Sequence, residues 1–123
     1  MKAIQTELAP KAIGPYSQAV IHNGILYASG QLPLSIESGE IVGSNIQEQT
    51  EQAVSNIKGI LKAAGTEIGK VLKTTCFLKD ISDFPAFNNV YAAHFTSNPA
   101  RSTVQAAALP KGALVEIEVT AEV

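Results

Sequence analysis

The sequence predicts an α+β domain: one mixed β-sheet with two helices packed on a single face. Three observations carry this. Val115-Glu116-Ile117-Glu118-Val119 alternates strictly between apolar and charged residues, the period of a half-buried strand. Ala53, Val54, Ile57, Ile60, Leu61 and Ala64 form one apolar stripe at helical spacing, and Phe84, Phe87, Tyr91 and Phe95 form a second. Asn23-Gly24, between two β-rich runs, is the strongest short hairpin signal in the chain. A chain of 123 residues suits a single domain, residues 1–123.

The elements follow in order. Residues 2–7 are expected to form a short strand. Pro10 and Pro15 keep residues 9–15 out of helix and make them a loop. Gln18 to His22 and Ile25 to Ser29 read as the two strands of the hairpin. Residues 30–43 are rich in Gly, Pro and Ser and read mostly as loop, with a small hairpin around Ser38-Gly39. Ser44 or Asn45 caps the first helix, with Gln47 or Glu48 as the reciprocal half of a capping box, and Gly65 stops it.

Val71 to Lys79 is a β-rich run. Ser82 or Asp83 opens the second helix, with Pro85 in its first turn. Asn88 is expected off the Phe84 face, looking outward. Asn98-Pro99 ends that helix, and two final strands flank the loop Ala107–Gly112. The two helices can cover only one face of the sheet, so the other face needs cover from elsewhere.

Composition narrows the function classes. Charged residues are 16% of the chain and hydrophobic residues 46%, whereas charge averages about 25% in soluble domains. Few charges are available to coat a monomer, so part of the surface is expected to be buried against further copies of the chain. A net charge of −2 gives no basic footprint for nucleic acid. No apolar run reaches the roughly 18 residues of a membrane span. The polar start, Met1 to Glu7, does not resemble a signal peptide, so a cytoplasmic location is expected.

The chemistry-bearing residues are few. Cys76 is the single cysteine and sits mid-strand, where a free thiol is usually inert packing. His22 and His94 fall in different elements without carboxylates at ligand spacing, so no metal site is expected. No phosphate-binding glycine loop occurs. Arg101 is the only arginine among nine basic residues. Its planar fork can grip a carboxylate with two parallel bonds, which a lysine cannot do. Spacing alone leaves three roles open, an ordinary surface residue, half of a structural ion pair with Glu116 or Glu118, or a clamp for a ligand, and favours the first two over the clamp.

Four stretches in order settle what the chain looks like. Ile13-Gly14-Pro15-Tyr16-Ser17-Gln18, Ala28-Ser29-Gly30-Gln31 and Phe87-Asn88-Asn89-Val90-Tyr91 precede Pro99-Ala100-Arg101-Ser102-Thr103-Val104, which leads through Leu109-Pro110 to Val115-Glu116-Ile117-Glu118. Together they resemble the RidA/YjgF family of small enamine/imine deaminases, some of which are also described as translation inhibitors or ribonucleases. The resemblance spans nearly the whole chain. It implies a chorismate-mutase-like fold assembled as a homotrimer, with sites between subunits.

The resemblance also implies one pocket. Arg101 would bind and orient the carboxylate of a 2-imino acid, and Glu116 would hold the attacking water; these are the implied catalytic residues. Tyr16, Ser29, Asn88 and Thr103 would complete substrate binding, and no cofactor would be needed. The implied reaction is 2-iminobutanoate/2-iminopropanoate hydrolysis to 2-oxo acids and ammonia. The alternatives are a non-catalytic binder of small carboxylates and a single-strand endoribonuclease. Against the latter stand the acidic charge, the single arginine and the lack of a base-stacking aromatic run. The chain departs from many relatives in having Thr103 for their Cys and Gln105 for their Glu. Its Phe95–Pro99 link is also shorter than in some.

Overall fold

The computed structural model describes all of residues 1–123. The elements are β1 (Lys2–Ile4), β2 (Ala19–His22), β3 (Ile25–Ala28), α1 (Ile46–Ala63), β4 (Val71–Leu78), α2 (Phe84–His94), β5 (Ala100–Gln105) and β6 (Val115–Glu122). The six strands form one sheet in the order β1-β2-β3-β6-β4-β5. Only β4 and β5 pair in parallel; every other pairing is antiparallel. The sheet is therefore mixed, as expected, and β5 is an edge strand.

Period-two alternation decides which face is core. Val115, Ile117, Val119 and Ala121 of β6 are buried, and so are their neighbours Thr74, Cys76 and Leu78 on β4. The apolar stripes of α1 (Ala53, Val54, Ile57, Ile60, Leu61) and α2 (Phe87, Tyr91) close over this face. The opposite face carries Tyr27, Lys73, Thr75, Phe77, Val104, Glu116 and Glu118 and has no helix over it. Tyr27 is 50% exposed and Val104 45%. A hollow of about 260 Å³ on this open face is lined by Tyr27, Lys73, Thr75, Glu118 and Thr120, among others.

Several boundaries differ from expectation for identifiable reasons. β1 stops at Ile4 rather than residue 7, and β2 starts at Ala19 rather than Gln18. The Gln18 side chain is the cause. Its Oε1 accepts from the Thr6 backbone N–H at 2.7 Å, and its Nε2 donates to the carbonyls of Thr6, Ala9 and Pro10. Gln18 is thus a buried clasp that pins residues 6–10 as a strap over α1. The strap crosses the helix at Gly59, where a Cβ would collide with the Leu8 carbonyl.

β3 stops at Ala28, one residue early. The pairing of β3 with β6 slips by one residue between the Tyr27–Thr120 pair and the Gln31–Ile117 bridge. That slip is a β-bulge at Ser29-Gly30. Leu34 bridges Ile41 around the small turn at Gly39, which bears out the minor hairpin.

The helix caps are split across two residues. Asn45 Oδ1 accepts from the Glu48 N–H at 2.8 Å, while the Glu48 carboxylate reaches back to the N–H and hydroxyl of Ser44. Gly65, at φ 81°, ends α1. α2 is not capped by Ser82 or Asp83: Asp83 makes no side-chain cap bond. A 3-10 turn over Ile81–Asp83 precedes the helix, and Asp80 caps that turn through the Ser82 N–H at 2.9 Å.

Candidate functional site

Arg101 enters from β5, in register with Thr74, and Thr103 follows in register with Cys76. Residues in register share a face, so both point to the helix-covered side. There the Arg101 guanidinium lies over the Tyr91 ring, 4.6 Å from its centroid, and 5.2 Å from that of Phe84. Its Nη1 donates to Asn88 Oδ1 at 2.7 Å. Phe84, Asn88 and Tyr91 are spaced four and three apart and make one face of α2. Asn88 therefore does not look outward, off the Phe84 face; it shares that face and bonds Arg101.

No carboxylate is paired with Arg101. The only basic side chain within 4 Å of a carboxylate is His94, whose Nε2 lies 3.1 Å from Glu51. The ion pair with Glu116 or Glu118 does not form, because those glutamates point from the other side of the sheet. Asn88 takes one of the five N–H donors of the guanidinium, which leaves four without an acceptor in this chain.

The groups behind the arginine are buried and polar. The Tyr91 hydroxyl and Thr74 Oγ1 lie 2.7 Å apart, and Cys76 Sγ donates to Thr74 Oγ1 at 3.8 Å. Thr103 Oγ1 is buried beside the Cys76 thiol and makes no hydrogen bond of ordinary geometry. Burial pushes the Cys76 thiol up to about 11, against the opposing effects of the Thr74 hydroxyl, the Arg101 charge and the Thr103 hydroxyl. Cys76 is therefore a neutral packing thiol at physiological pH. It has no nucleophile partnership with His94, whose ring nitrogens are engaged by Lys58 at 3.0 Å and Glu51 at 3.1 Å.

Glu116 belongs to the open face. Burial first, and the charge of Glu118 second, raise its pKa above the usual carboxylate value. Its side chain lies across Gly30, where a Cβ would stand 2.5 Å from Glu116 Oε1 and 2.9 Å from Cδ. The bulge thus leaves a glycine where the carboxylate needs room. Beside it, Ser29 Oγ donates to the Ser17 carbonyl at 2.6 Å and Ser29 N–H to that of Gln18 at 2.9 Å. Ser29 thereby ties the loop carrying Tyr16 to the bulge. Tyr16 is 54% exposed. It stands at the rim of a groove of about 690 Å³ lined by residues 3–7, 11, 12 and 16–18. That groove contains neither Arg101 nor Glu116.

The six residues expected at the site fall into two groups. Arg101, Asn88 and Thr103 gather on the helix-covered side at the β5 edge. Glu116 and Ser29 meet at the Ser29-Gly30 bulge, and Tyr16 is joined to it through its neighbour Ser17, whose carbonyl Ser29 bonds. Two inter-strand spacings, roughly 10 Å, separate β5 from β6, and the two charged residues face opposite ways. A single chain does not close both groups around one small molecule. Sequence reasoning missed Tyr91 and Phe84 as supports of Arg101 because their spacing reads as core. It also missed Gly30, whose only signal is its place beside Ser29. No group of three or more His, Cys, Asp and Glu side chains is disposed to hold a metal. No helix is long and apolar enough to cross a membrane.

Comparison with known proteins supplies the family. The model described as Endoribonuclease L-PSP matches residues 6–123. The chain belongs to this family, the RidA/YjgF family. Among RidA/YjgF relatives, AldR of Lactococcus lactis is 57% identical over 124 residues, covering 100% of this chain and 98% of AldR. The 2-iminobutanoate/2-iminopropanoate deaminase of Homo sapiens is 48% identical over 121 residues, covering 98% of this chain and 88% of that protein. The crystal structure of E. coli TdcF with bound serine matches with a TM-score of 0.93 at 40% identity, covering 100% and 99% of the two chains.

Proposed function

We propose that this protein is an imine deaminase that hydrolyses small 2-imino acids, such as 2-iminobutanoate and 2-iminopropanoate, at sites shared between copies of a homotrimer. The carrying observation is Arg101: a half-buried guanidinium stacked on aromatic rings, with four free donors and no carboxylate of its own chain. Such a fork suits the carboxylate of a substrate. The imino acids in the human relative's name and the serine in the TdcF structure all carry that group.

Glu116 supplies the second half. Its raised pKa makes it a better proton acceptor near neutrality. It takes a proton from water as the oxygen adds to the imine carbon and passes that proton to the imine nitrogen, giving a carbinolamine and an ionised Glu116. Glu116 then relays the carbinolamine hydroxyl proton to the amino group; the C–N bond breaks, ammonia leaves, and the C=O of the 2-oxo acid forms. One water is consumed. The imine carbon is electrophilic by itself, so the reaction calls on no cofactor. Thr103, two residues along β5 from Arg101 and on the same face, completes substrate binding.

The opposed faces of Arg101 and Glu116 motivate the shared site. A neighbouring copy would bring its Glu116, Ser29 and Tyr16 against Arg101, Asn88 and Thr103, and would cover the open sheet face.

Two experiments test this. Imine generated in situ by an amino-acid oxidase should disappear faster with sub-stoichiometric protein. Protection only at stoichiometric amounts would instead make the chain a binder, in keeping with AldR, whose name marks it as a candidate regulator. Mixing unfolded and refolded Arg101→Ala and Glu116→Gln chains should restore activity at about a quarter of the sites, because random pairing reunites two native halves there. No recovery would place each site within one chain.

A further inference from the structure

Tyr91 is 6% exposed and lies on the core stripe of α2. Its contacts exceed those of a core filler. Its ring carries the Arg101 guanidinium at 4.6 Å and stacks on Phe95 at 4.3 Å and 22°. Its hydroxyl lies 2.7 Å from Thr74 Oγ1, and Thr74 is the β4 residue in register with Arg101. Ring, hydroxyl anchor and arginine backbone are thus tied to the same point of the sheet. Burial holds the Tyr91 hydroxyl protonated, so the anchor persists across the physiological range.

An arginine can be oriented in two ways. A carboxylate partner would orient it but would occupy its donors and neutralise its charge. An aromatic face orients the guanidinium plane and takes neither. Asn88 then fixes rotation within that plane with a single acceptor. The long side chain is ordered before the ligand arrives, which lowers the cost of ordering on binding.

Resting on the carboxylate-clamp reading above, we propose that Tyr91 is the positioning residue for Arg101: its ring face sets the plane of the fork, and so the affinity for the substrate carboxylate.

The test uses 2-oxobutanoate binding by calorimetry beside imine turnover. Tyr91→Phe keeps the ring and loses the Thr74 bond. It should lower the melting temperature and leave affinity within about threefold of wild type. Replacing that Phe by its 3,4,5-trifluoro analogue keeps the shape but drains the ring face. It should weaken binding about tenfold relative to Phe, through a higher KM more than a lower kcat. Tyr91→Leu, if folded, should lose at least as much.

Equal affinity of the Phe and trifluoro-Phe proteins would overturn the proposal and leave Tyr91 as packing. A folded Leu variant binding like wild type would do the same. Wild-type protein that binds 2-oxobutanoate without imine turnover would remove the deaminase reading alone, and the ring comparison would still decide this one. Wild-type protein that fails to bind 2-oxobutanoate would remove both.

Discussion

Arg101 and Glu116 are the two charges of the proposed site, and the fold treats them differently. Arg101 has a complete setting made by its own chain: two aromatic rings, one amide and a backbone tied to Thr74. Glu116 has almost none. No donor of its own chain bonds its carboxylate, Glu118 adds like charge, and Gly30 gives it only room. A cation can rest on a ring without losing its donors. A partly buried carboxylate needs donors or positive charge. The arginine half is therefore finished within the chain, and the glutamate half waits for a ligand or a neighbouring copy.

The largest effect that sharpens this contrast should come from Glu116→Gln. Turnover should fall about 100-fold or more, as for loss of a general base, while 2-oxobutanoate still binds. Stability should move the other way. The folded pKa of Glu116 lies above its unfolded value, so the stability it contributes is full below the ordinary carboxylate pKa and is lost as pH rises through the folded value. In a dissociated chain the Gln variant should then melt above wild type at neutral pH, with the gap closing on acidification; in the proposed trimer, where a neighbouring copy's Arg101 faces Glu116, that gain should vanish. A variant that melts lower at neutral pH would show that Glu116 already has a partner in solution.

Arg101→Lys comes next. Losing one charge-assisted bond, roughly 1.5–3 kcal/mol, should cut kcat/KM about 10- to 100-fold with circular dichroism unchanged. Wild-type efficiency in a folded Lys variant would reduce Arg101 to an ordinary stacked residue. Gly30→Ala should act only on the glutamate half. The added methyl forces the Glu116 side chain aside, so turnover should drop about tenfold with little change in melting temperature. Unaltered turnover would mean that the carboxylate works from another rotamer. The smallest functional effect should be that of Cys76→Ser: unchanged turnover and about 1 kcal/mol of lost stability from the buried hydroxyl.

How much was legible in the sequence follows the range of the interactions. The alternation at Val115–Val119, the two apolar stripes and the Asn-Gly turn are local signals, and each yields the element expected of it. Arg101 stood out by its uniqueness. Its surroundings did not. The aromatic spacing groups Phe84 with Phe87, Tyr91 and Phe95 as one buried face and puts Asn88 outside it; the four-and-three spacing of Phe84, Asn88 and Tyr91 marks a second face that only the position of β5 reveals. Gln18 looked like a strand residue because its role is long-range, a side chain bonding the backbone of residues 6–10. The opposition of Arg101 and Glu116 depends on the register of β5, β4 and β6, which no local pattern encodes.

Gly59 has a consequence for anyone who would stabilise this protein. By helix propensity it is the weakest residue inside α1, and alanine there would ordinarily gain about 1 kcal/mol. The Leu8 carbonyl occupies the space that the new methyl would need. The strap would have to lift from the helix, straining the Gln18 clasp and, beyond it, the loop that holds Tyr16. A position that propensity marks for improvement is one where the improvement would propagate as damage to the loop that carries Tyr16.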